Sequence, residues 1–379
     1  MHKAERRHEQ RLFCSLVFGL LMGISSGSLW ATVPVAPSYQ LIILTPLSGY
    51  PESQGNAVSN SGVVAGASFS TASVAEKWIN GVSGSQLPIG TSEATAVNGL
   101  GQFAGSLSLG GSVDHGFFFN GSVVTDVHNA TLSTVGNFSE ATGINDLGQV
   151  VGWAATSGTG NPSAYRWQGG NAILLGMLGG RESAALAINN HGEVAGYLIT
   201  AGLLEQGFVW SDTNGNNASD PGEMIALPDT GFGSAANAVN DLGQVAGFVL
   251  NSSAQRQPVV WYDTSNYTPL PLLPGTATGE PMAINNHGAI VGSSASKGAT
   301  LWIDGQVYNL NDLVSLPSNY KMTQARGVND LGWIVGAGFL SGNETGFLLI
   351  PIPEPLTASL GGIGFVGLVL AGRVRRRRS

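Results

Sequence analysis

The ten residues AVNDLGQVAG (238–247) decide the fold of this chain, because close copies of them recur along its length. The other copies are AVSNSGVVAG (57–66), AVNGLGQFAG (96–105), GINDLGQVVG (143–152), AINNHGEVAG (187–196), AINNHGAIVG (283–292) and GVNDLGWIVG (327–336). Seven units therefore follow one another at a period of about 45 residues. Such self-similarity predicts a chain built by repeating one small supersecondary unit.

Each unit begins with the pattern of two β-strands joined by a tight turn. In SAALAIN (183–189) small and apolar residues alternate, which is typical of a strand. The NNHG or NDLG segment places Asn at the first position of a type I turn and Gly where a positive φ is needed, and EVAGYLI (193–199) returns as the second strand. A recurrent glycine in this second strand predicts a crowded inner position where backbones approach closely. These glycines are Gly66, Gly105, Gly152, Gly196, Gly247, Gly292 and Gly336.

An aromatic third strand, as in VVWYD (259–263), and a short fourth strand, as in MIALP (224–228), complete the unit. Unit seven has no fourth strand after GFLLI (346–350), whereas the body of the chain begins with a fourth-strand sequence, YQLIILTPL (39–47). The predicted fold is therefore all-β: a β-propeller of seven four-stranded blades, in which the N-terminal strand completes the last blade and closes the ring. An open solenoid and paired β-sandwiches are the alternatives.

The charge distribution argues against a nucleic-acid partner. The chain of 379 residues has a formal net charge of -8, with 16 Lys and Arg and 24 Asp and Glu. Nine of the basic residues lie at positions 3–11 and 373–378, which leaves 7 basic against 21 acidic residues in the body, residues 37–350. A body with a charge close to -14 repels phosphate backbones.

The N-terminal segment has the three parts of a secretory signal peptide. Charged residues up to Arg11 precede an apolar run from Leu12 to about Leu29, and small residues lead into a Pro-rich start. Residues 1–36 are therefore predicted to be a signal peptide that is removed on export. The single cysteine, Cys14, lies in this apolar run, so the mature protein is predicted to have no disulfide and no thiolate chemistry.

The body contains no recognisable catalytic motif. His191 and His287 share a turn position that is Leu in other units, which is typical of an exposed loop, and His115 and His128 have no Asp, Ser or Cys at a recognisable spacing. Acidic residues beside the turn glycines are ordinary turn residues, although a propeller also brings distant loops together at one end of its channel. These residues are Asp146, Asp241 and Asp330.

Tryptophan recurs at one position of the aromatic strand, which predicts a place in the blade core, with sugar stacking as the alternative. The residues at this position are Trp78, Trp167, Trp210, Trp261 and Trp302. Trp153 and Trp333 fall outside the repeat and are the candidates for exposed aromatic residues.

One loop of unit four, DTNGNNASDPGE (212–223), has the ligand spacing of a calcium loop. The side chains at its positions 1, 3, 5, 9 and 12 are Asp212, Asn214, Asn216, Asp220 and Glu223. Position 6, where such loops have glycine, is Asn217, which tolerates a positive φ. The prediction is a Ca²⁺ site that orders the loop, and a plain Asn/Gly/Asp surface turn is the alternative.

The C-terminal segment has the parts of a membrane span. Pro353, Glu354 and Pro355 precede 17 uncharged residues, 356–372, which as a helix extend over about 26 Å, enough for a thin bilayer. A transmembrane helix is therefore predicted, and the basic residues after it are predicted to stay on the cytoplasmic side. These residues are Arg373, Arg375, Arg376, Arg377 and Arg378. A permanent single-span anchor is the alternative to a removable segment.

Two resemblances follow from these motifs. The pattern A-[IV]-N-[DN]-x-G-x-[VI]-x-G with an aromatic strand after it resembles the HAF-type extracellular repeat family over about 47–350, with Ser59 departing from the usual Asn. This implies a secreted protein with no shared enzymatic activity. Residues 351–379 strongly resemble the PEP-CTERM sorting signal, which implies a Gram-negative, exopolysaccharide-producing host and an exosortase that cuts near the Pro-Glu-Pro motif.

The predicted function is accordingly non-enzymatic. The protein is expected to pass through an inner-membrane intermediate to the cell surface, outer membrane or extracellular matrix, with a structural or adhesive role linked to exopolysaccharide or biofilm. The predicted partners are the exosortase, exopolysaccharide or surface glycans and, before processing, the membrane; Ca²⁺ is the one candidate cofactor. The alternative is a secreted β-propeller glycan hydrolase or lectin. Carboxylates gathered in a polar pocket at one end of the ring would favour the enzyme, whereas scattered turn residues there would favour the structural role.

Overall fold

The computed structural model describes residues 36–110, 113–128, 131–155 and 161–353. These residues form 28 β-strands and two short 3-10 helices, Leu132–Thr134 and Leu310–Asp312. The strands make seven separate four-stranded sheets, each antiparallel throughout. The predicted signal peptide and transmembrane helix lie outside this part of the chain, and no helix within it is long and apolar enough to cross a membrane.

Each sheet is one blade, and the first strands of neighbouring blades pack against one another around a central channel. Strand β1 (Tyr39–Leu44) belongs to the last blade.

Blade 1 contains β2 (Glu52–Val58), β3 (Val63–Phe69), β4 (Ser73–Ile79) and β5 (Val82–Gln86). Blade 2 contains β6 (Ser92–Val97), β7 (Phe103–Gly110), β8 (Val113–Phe119) and β9 (Val124–Asp126). Blade 3 contains β10 (Phe138–Ile144), β11 (Val150–Ala155), β12 (Ser163–Gln168) and β13 (Asn171–Leu174). Blade 4 contains β14 (Glu182–Ile188), β15 (Val194–Ile199), β16 (Glu205–Trp210) and β17 (Met224–Ala226). Blade 5 contains β18 (Ser234–Val239), β19 (Val245–Leu250), β20 (Arg256–Trp261) and β21 (Tyr267–Pro269). Blade 6 contains β22 (Gly279–Ile284), β23 (Ile290–Ser294), β24 (Gly298–Ile303) and β25 (Gln306–Asn309). Blade 7 contains β26 (Tyr320–Val328), β27 (Ile334–Leu340), β28 (Asn343–Pro351) and β1.

Blade 7 is closed by the N-terminal strand. Strand β1 pairs antiparallel with β28, from Tyr39 opposite Pro351 to Leu44 opposite Gly346. The first and last strands of the body are thus hydrogen-bonded in one sheet, so pairing of the two ends within blade 7 closes the ring. The prediction of a seven-bladed propeller is confirmed, and the solenoid and sandwich alternatives are excluded.

The hairpin between the first two strands of each blade has the predicted turn. In blade 5 the N–H of Gly243 donates to the carbonyl oxygen of Asn240 over 3.1 Å, and Gly243 has a φ of 73°. This is a type I turn followed by a glycine in the left-handed region. The His and Leu residues that share the third position of these turns are exposed, which confirms their loop position.

The recurrent glycine of the second strand faces a bulge in the first. In blade 5 the register shifts between Ala236 and Ala238, so Asn237 is an extra residue on the inner strand. A Cβ at Gly247 would lie 2.0 Å from the carbonyl oxygen of Ala235. In each of the other blades, a Cβ at the equivalent glycine would likewise lie within 2.1 Å of a backbone carbonyl oxygen of the first strand. The predicted crowding is therefore confirmed, and its cause is the bulge.

The tryptophans of the third strands are buried, as predicted, and fill the blade cores. Their burial excludes sugar stacking at this repeat position. Trp153 and Trp333 are only half-buried, and Trp153 stacks on Phe138 with 5.0 Å between the ring centroids. The prediction that these two side chains are exposed is thus only partly right.

The asparagine that begins each turn joins its blade to the next. The Asn240 side-chain oxygen accepts hydrogen bonds from the N–H groups of Leu242 and Gln244, and its amide nitrogen donates to the carbonyl oxygen of Asn285 over 2.9 Å. One buried side chain therefore caps its own turn and binds the following blade. The side chains that make this bond to the next blade are Asn98, Asn145, Asn189, Asn240, Asn285 and Asn329.

The next residue of each turn builds a second ring of bonds between blades. The N–H of Asp241 donates to Asn286 Oδ1, and the N–H of Asn286 donates to Asp330 Oδ1, each over 2.8 Å. Burial acts to raise the pKa of Asp330, but hydrogen bonds from Asn286 and Asn60 outweigh this effect and leave the pKa below its ordinary value. The N–H donors of this ring are Gly99, Asp146, Asn190, Asp241, Asn286 and Asp330. The acidic turn residues thus connect blades in addition to shaping turns.

Both rings are open at one interface, between blades 1 and 2. Ser59 replaces the asparagine in blade 1, and its hydroxyl is bound within its own turn, to Ser61 Oγ and the N–H of Val63. Gly99 takes the second position in blade 2 and has no side chain that could accept from the N–H of Asn60. Blades 1 and 2 therefore lack both of the bonds that join every other pair of neighbouring blades.

Glu76 is an exception in the core of blade 1. It takes a position on β4 that Phe117 and Phe208 hold in other blades, and its side chain is 0% exposed. Ser68 donates to Glu76 Oε2, whereas Oε1 is, among the described residues, a buried side-chain atom without a hydrogen-bond partner. Burial raises the pKa of Glu76 to about 7.

We predict that Ser59→Asn stabilises the propeller. The new amide would reach the carbonyl oxygen of Asn98 as its counterparts do elsewhere, and one added hydrogen bond contributes about 1 kcal/mol to the free energy of unfolding. The matched variant Asn240→Ala, at a closed interface, is expected to lose about 1–3 kcal/mol, because it leaves buried partners unsatisfied. Thermal and denaturant unfolding measure both. A destabilised Ser59→Asn protein would show that the interface between blades 1 and 2 is not simply missing this bond.

We also predict that Glu76 makes the fold less stable as the pH rises. The folded pKa, about 7, lies above the ordinary value of 4.5, so the folded state holds the proton more tightly. Stability is therefore greatest below the unfolded pKa and falls as the pH rises through the folded one, by up to about 3 kcal/mol. Glu76→Gln should remove this loss when melting temperatures are compared between about pH 5 and about pH 8. The exposed-turn variant Asp304→Asn should keep it, and an unchanged pH profile in Glu76→Gln would refute the assignment.

Candidate functional site

The end of the channel formed by the asparagine turns, here called the turn end, is a shallow polar depression of about 180 Å³. Its carboxylates already accept hydrogen bonds from neighbouring turns: Asp241 Oδ2 from Asn190 and Asn286, and Asp330 Oδ2 from Asn60 and Asn286. These groups hold the blades together. The turn end therefore offers few hydrogen-bonding groups that are not engaged in the fold.

The opposite end of the channel, here called the carboxylate end, gathers glutamates from several blades. Antiparallel strands place the start of each first strand and the start of each third strand at the same end of a blade. The glutamates at or beside these strand starts are Glu52, Glu93, Glu140, Glu182, Glu205, Glu280 and Glu344. Carboxylates thus cluster at one end of the ring, which is the arrangement that the enzyme alternative requires.

Arg326 organises this end where blade 7 meets blade 1. Its guanidinium donates to the side-chain oxygens of Gln54 and Asn56 over 2.5 and 3.0 Å and lies 3.5 Å from a Glu344 oxygen. The amide groups of Gln54 and Asn56 donate in turn to Glu93 Oε1 over 2.5 and 2.9 Å. A continuous polar chain therefore runs from blade 7 through blade 1 to blade 2. It crosses the interface at which both rings of the turn end are open.

Glu140 is the carboxyl group of this end with the most favourable position for acid–base chemistry. Burial raises its pKa, and the charges of Glu93 and Asp114 raise it further, while a hydrogen bond from Trp153 acts in the opposite sense. The pKa of Tyr197 is raised by burial and by nearby carboxylates, of which Glu205 contributes most. A carboxyl group with a raised pKa is suited to act as a general acid.

His115 and His128, which have no Asp, Ser or Cys at a recognisable sequence spacing, have side-chain partners in the folded chain. Their rings stack with 4.1 Å between the centroids, His115 Nδ1 lies 2.7 Å from Asp126 Oδ2, and His128 Nδ1 lies 3.0 Å from Ser139 Oγ. Pairing of β8 with β9 brings Asp126 close, and the next blade supplies Ser139, so sequence spacing reveals neither contact. Ser139 is fully buried and accepts from the N–H of Gly116, which makes it a structural residue rather than a nucleophile.

The loop predicted to bind calcium is compact and internally hydrogen-bonded. The Asp212 carboxylate accepts from the N–H groups of Asn216 and Asn217 over 3.1 and 2.9 Å, and one of its oxygens lies 3.5 Å from the Arg166 guanidinium. Asn217 has a φ of 55°, the conformation expected at position 6. The loop therefore already has the turn that such sites need, while its first ligand pairs with an arginine.

The other predicted ligands of this loop also bind one another. Asn214 and Asn216 donate to Asp220 Oδ2 and lower the pKa of Asp220. The buried Glu223 carboxylate accepts from the N–H groups of Thr213 and Asp220. Within the described ranges no group of three or more His, Cys, Asp or Glu side chains is arranged to hold a metal ion. Calcium binding stays a prediction, which thermal melting with and without a chelator can check.

The predicted sorting motif begins where the described part of the chain ends. Pro353 is the last described residue, directly after Ile352, whose N–H donates to the carbonyl oxygen of Ser38 over 2.9 Å. The remaining predicted sorting residues lie outside the described ranges. They are Glu354, Pro355, Arg373, Arg375, Arg376, Arg377 and Arg378.

The sequence matches no protein-family model and no curated protein sequence. Among solved structures, the chain is similar to TolB from Acinetobacter baumannii, with 12% identity and a TM-score of 0.44 over 77% of this chain and 64% of that one. It is also similar to an acylaminoacyl peptidase from Pyrococcus horikoshii, with 10% identity and a TM-score of 0.47 over 78% and 52% of the two chains. A lectin from Burkholderia pseudomallei has 10% identity and a TM-score of 0.43 over 81% and 98%. The chain thus spans less than two thirds of the first two proteins, and similarity at this level assigns no activity to it.

Proposed function

We propose that this protein is exported, is held in the inner membrane by its C-terminal segment and is then processed at residues 353–355 by an exosortase. The propeller then acts at the cell surface, at the outer membrane or in the extracellular matrix. Its role there is non-enzymatic and adhesive, through binding to exopolysaccharide or surface glycans. This role is linked to the biofilm of a Gram-negative, exopolysaccharide-producing bacterium.

The observation that carries the proposal is the place at which the two ends of the propeller meet. Strands β1 and β28 lie side by side, and the bond between Ser38 and Ile352 extends their pairing to the last described residues. The first and last strands of the described ring are therefore joined at one point of blade 7. Every blade is complete between Tyr39 and Pro351. Such a body suits a precursor that is processed at both ends.

The distribution of polar groups also supports a structural role. At the turn end, carboxylates and amides that recur in the sequence are engaged in joining blades. At the carboxylate end, Arg326 and its amide partners also join neighbouring blades by hydrogen bonds. The acidic body favours neutral partners over anionic ones.

One observation favours the enzyme alternative. Glu140 lies at the carboxylate end beside Trp153. Burial raises its pKa, and the charge of Glu93 raises it further. Glycoside hydrolysis uses a pair of carboxyl groups, one of which acts as a general acid with a raised pKa. The second candidate function is therefore a secreted glycan hydrolase in which Glu140 is the general acid.

We predict that the exported protein binds the exopolysaccharide of its own host without degrading it. The expected result is co-sedimentation of the folded protein with the purified polysaccharide, with no release of reducing ends. Heat-unfolded protein and Glu140→Gln are the controls, and the latter should bind as well as the unaltered protein. Protein that stays in the supernatant would contradict adhesion, and hydrolysis that Glu140→Gln abolishes would establish the enzyme instead.

We further predict that Glu354→Ala blocks processing. The full-length protein should accumulate in the membrane fraction, since the sorting motif is altered while the ring and the apolar run are intact. Thr357→Ala, two residues beyond the motif, should be processed normally. Immunoblotting of membrane and medium fractions measures both forms, and release of Glu354→Ala at the normal rate would refute the sorting proposal.

A further inference from the structure

A cleft lies between blades 4 and 5. Its volume is about 360 Å³, which lies at the lower end of the range for small-molecule sites, about 300–1,000 Å³. Blade 4 contributes the ends of its third and fourth strands, and blade 5 contributes its first turn and the end of its third strand. The insertion at 212–223, which lengthens unit four, lies at its margin and supplies the buried Glu223.

Apolar side chains on this cleft remain open to solvent. Tyr262 is 59% exposed and Leu242 is 66% exposed, while the buried Trp210 and Trp261 also line the cleft. Tyr262 directly follows the tryptophan of the third strand, a position that is Ile79 in blade 1 and has an aromatic residue only in blade 5 among the tryptophan-containing units. An exposed aromatic ring beside a concave surface provides a flat apolar face for a ligand.

Two of the carboxylates that line the cleft, those of Glu193 and Asp263, have unused capacity to accept hydrogen bonds. Glu193 Oε2 accepts from Asn189, and Asp263 Oδ1 accepts from the N–H groups of Ser265 and Asn266. In the described structure the second oxygen of each carboxylate makes no hydrogen bond to protein. No Lys, Arg or His is among the lining residues. The cleft therefore favours a ligand that donates hydrogen bonds and carries no negative charge.

We propose that this cleft binds one neutral or amino sugar unit of a polysaccharide. A hexose ring has an apolar face of C–H groups, which Tyr262 and Leu242 would cover, and an edge of hydroxyl or amino donors, which Glu193 and Asp263 would accept. The two carboxylates and the acidic body disfavour a uronic acid. The site rests on the proposed adhesive function, for which it supplies the glycan contact.

The test uses the full exported protein and the probes glucose, galactose, mannose, glucosamine and glucuronate. We expect a neutral or amino hexose to bind with a dissociation constant on the order of 1 mM, the scale for a ligand of this size. Glucuronate should not bind. Binding is followed by saturation-transfer NMR and by the fluorescence of the lining aromatic residues. Absence of binding for every neutral and amino probe up to about 10 mM, ten times the expected constant, would overturn the site.

Variants separate this cleft from the rest of the ring. Tyr262→Ala should weaken sugar binding at least about tenfold, which corresponds to about 1.4 kcal/mol. Glu193→Gln should weaken the binding of glucosamine more than the binding of glucose. Ile79→Ala, at the same repeat position of blade 1, is the matched control and should bind normally. If Tyr262→Ala still adheres to the polysaccharide, the assignment of this cleft is refuted, while the proposed function is unaffected. Sugar binding by a protein that does not adhere to polysaccharide would support the site and refute the proposed function.

Discussion

The propeller depends on one side chain, the asparagine that follows the inner strand in every blade except blade 1, where Ser59 replaces it. Asn240 accepts two hydrogen bonds from its own turn and donates one to the next blade. A buried amide has both a donor and an acceptor to satisfy, and this position satisfies them in two different blades. The turn and the junction are therefore specified together. Neither Asp nor Ser can do both, because Asp lacks the donor and Ser is too short.

Departures from the repeat concentrate in blade 1 and at its junctions. Ser59 and Gly99 open both rings at one interface, and Glu76 places an acid where every other blade has an uncharged residue. The polar chain from Arg326 to Glu93 spans the same region at the other end of the channel. Blade 1 is thus joined to blade 2 by polar contacts at the carboxylate end, whereas both turn rings join it to blade 7.

The two ends of the channel differ in what their polar groups do. At the turn end the hydrogen-bonding capacity is used between blades, which leaves a rigid and shallow surface. At the carboxylate end, burial and nearby carboxylates raise the pKa values of Glu140, Glu205 and Glu344. Between blades 4 and 5 an exposed tyrosine and two carboxylates form the cleft with the clearest ligand preference.

The sequence by itself determined the number of blades, the strand order, the hairpin turns and the closure by β1, because each depends on local patterns repeated seven times. It also determined that the recurrent tryptophans are core residues. Only the tertiary structure decided which blade Asn240 binds, why Gly247 must lack a side chain, and that His115 and His128 have Asp126 and Ser139 as partners. The cleft beside Tyr262 likewise belongs to two blades. Contacts between blades join residues about one repeat apart, whose spacing is fixed by the twist and packing of sheets rather than by any local pattern, so a single sequence does not display them.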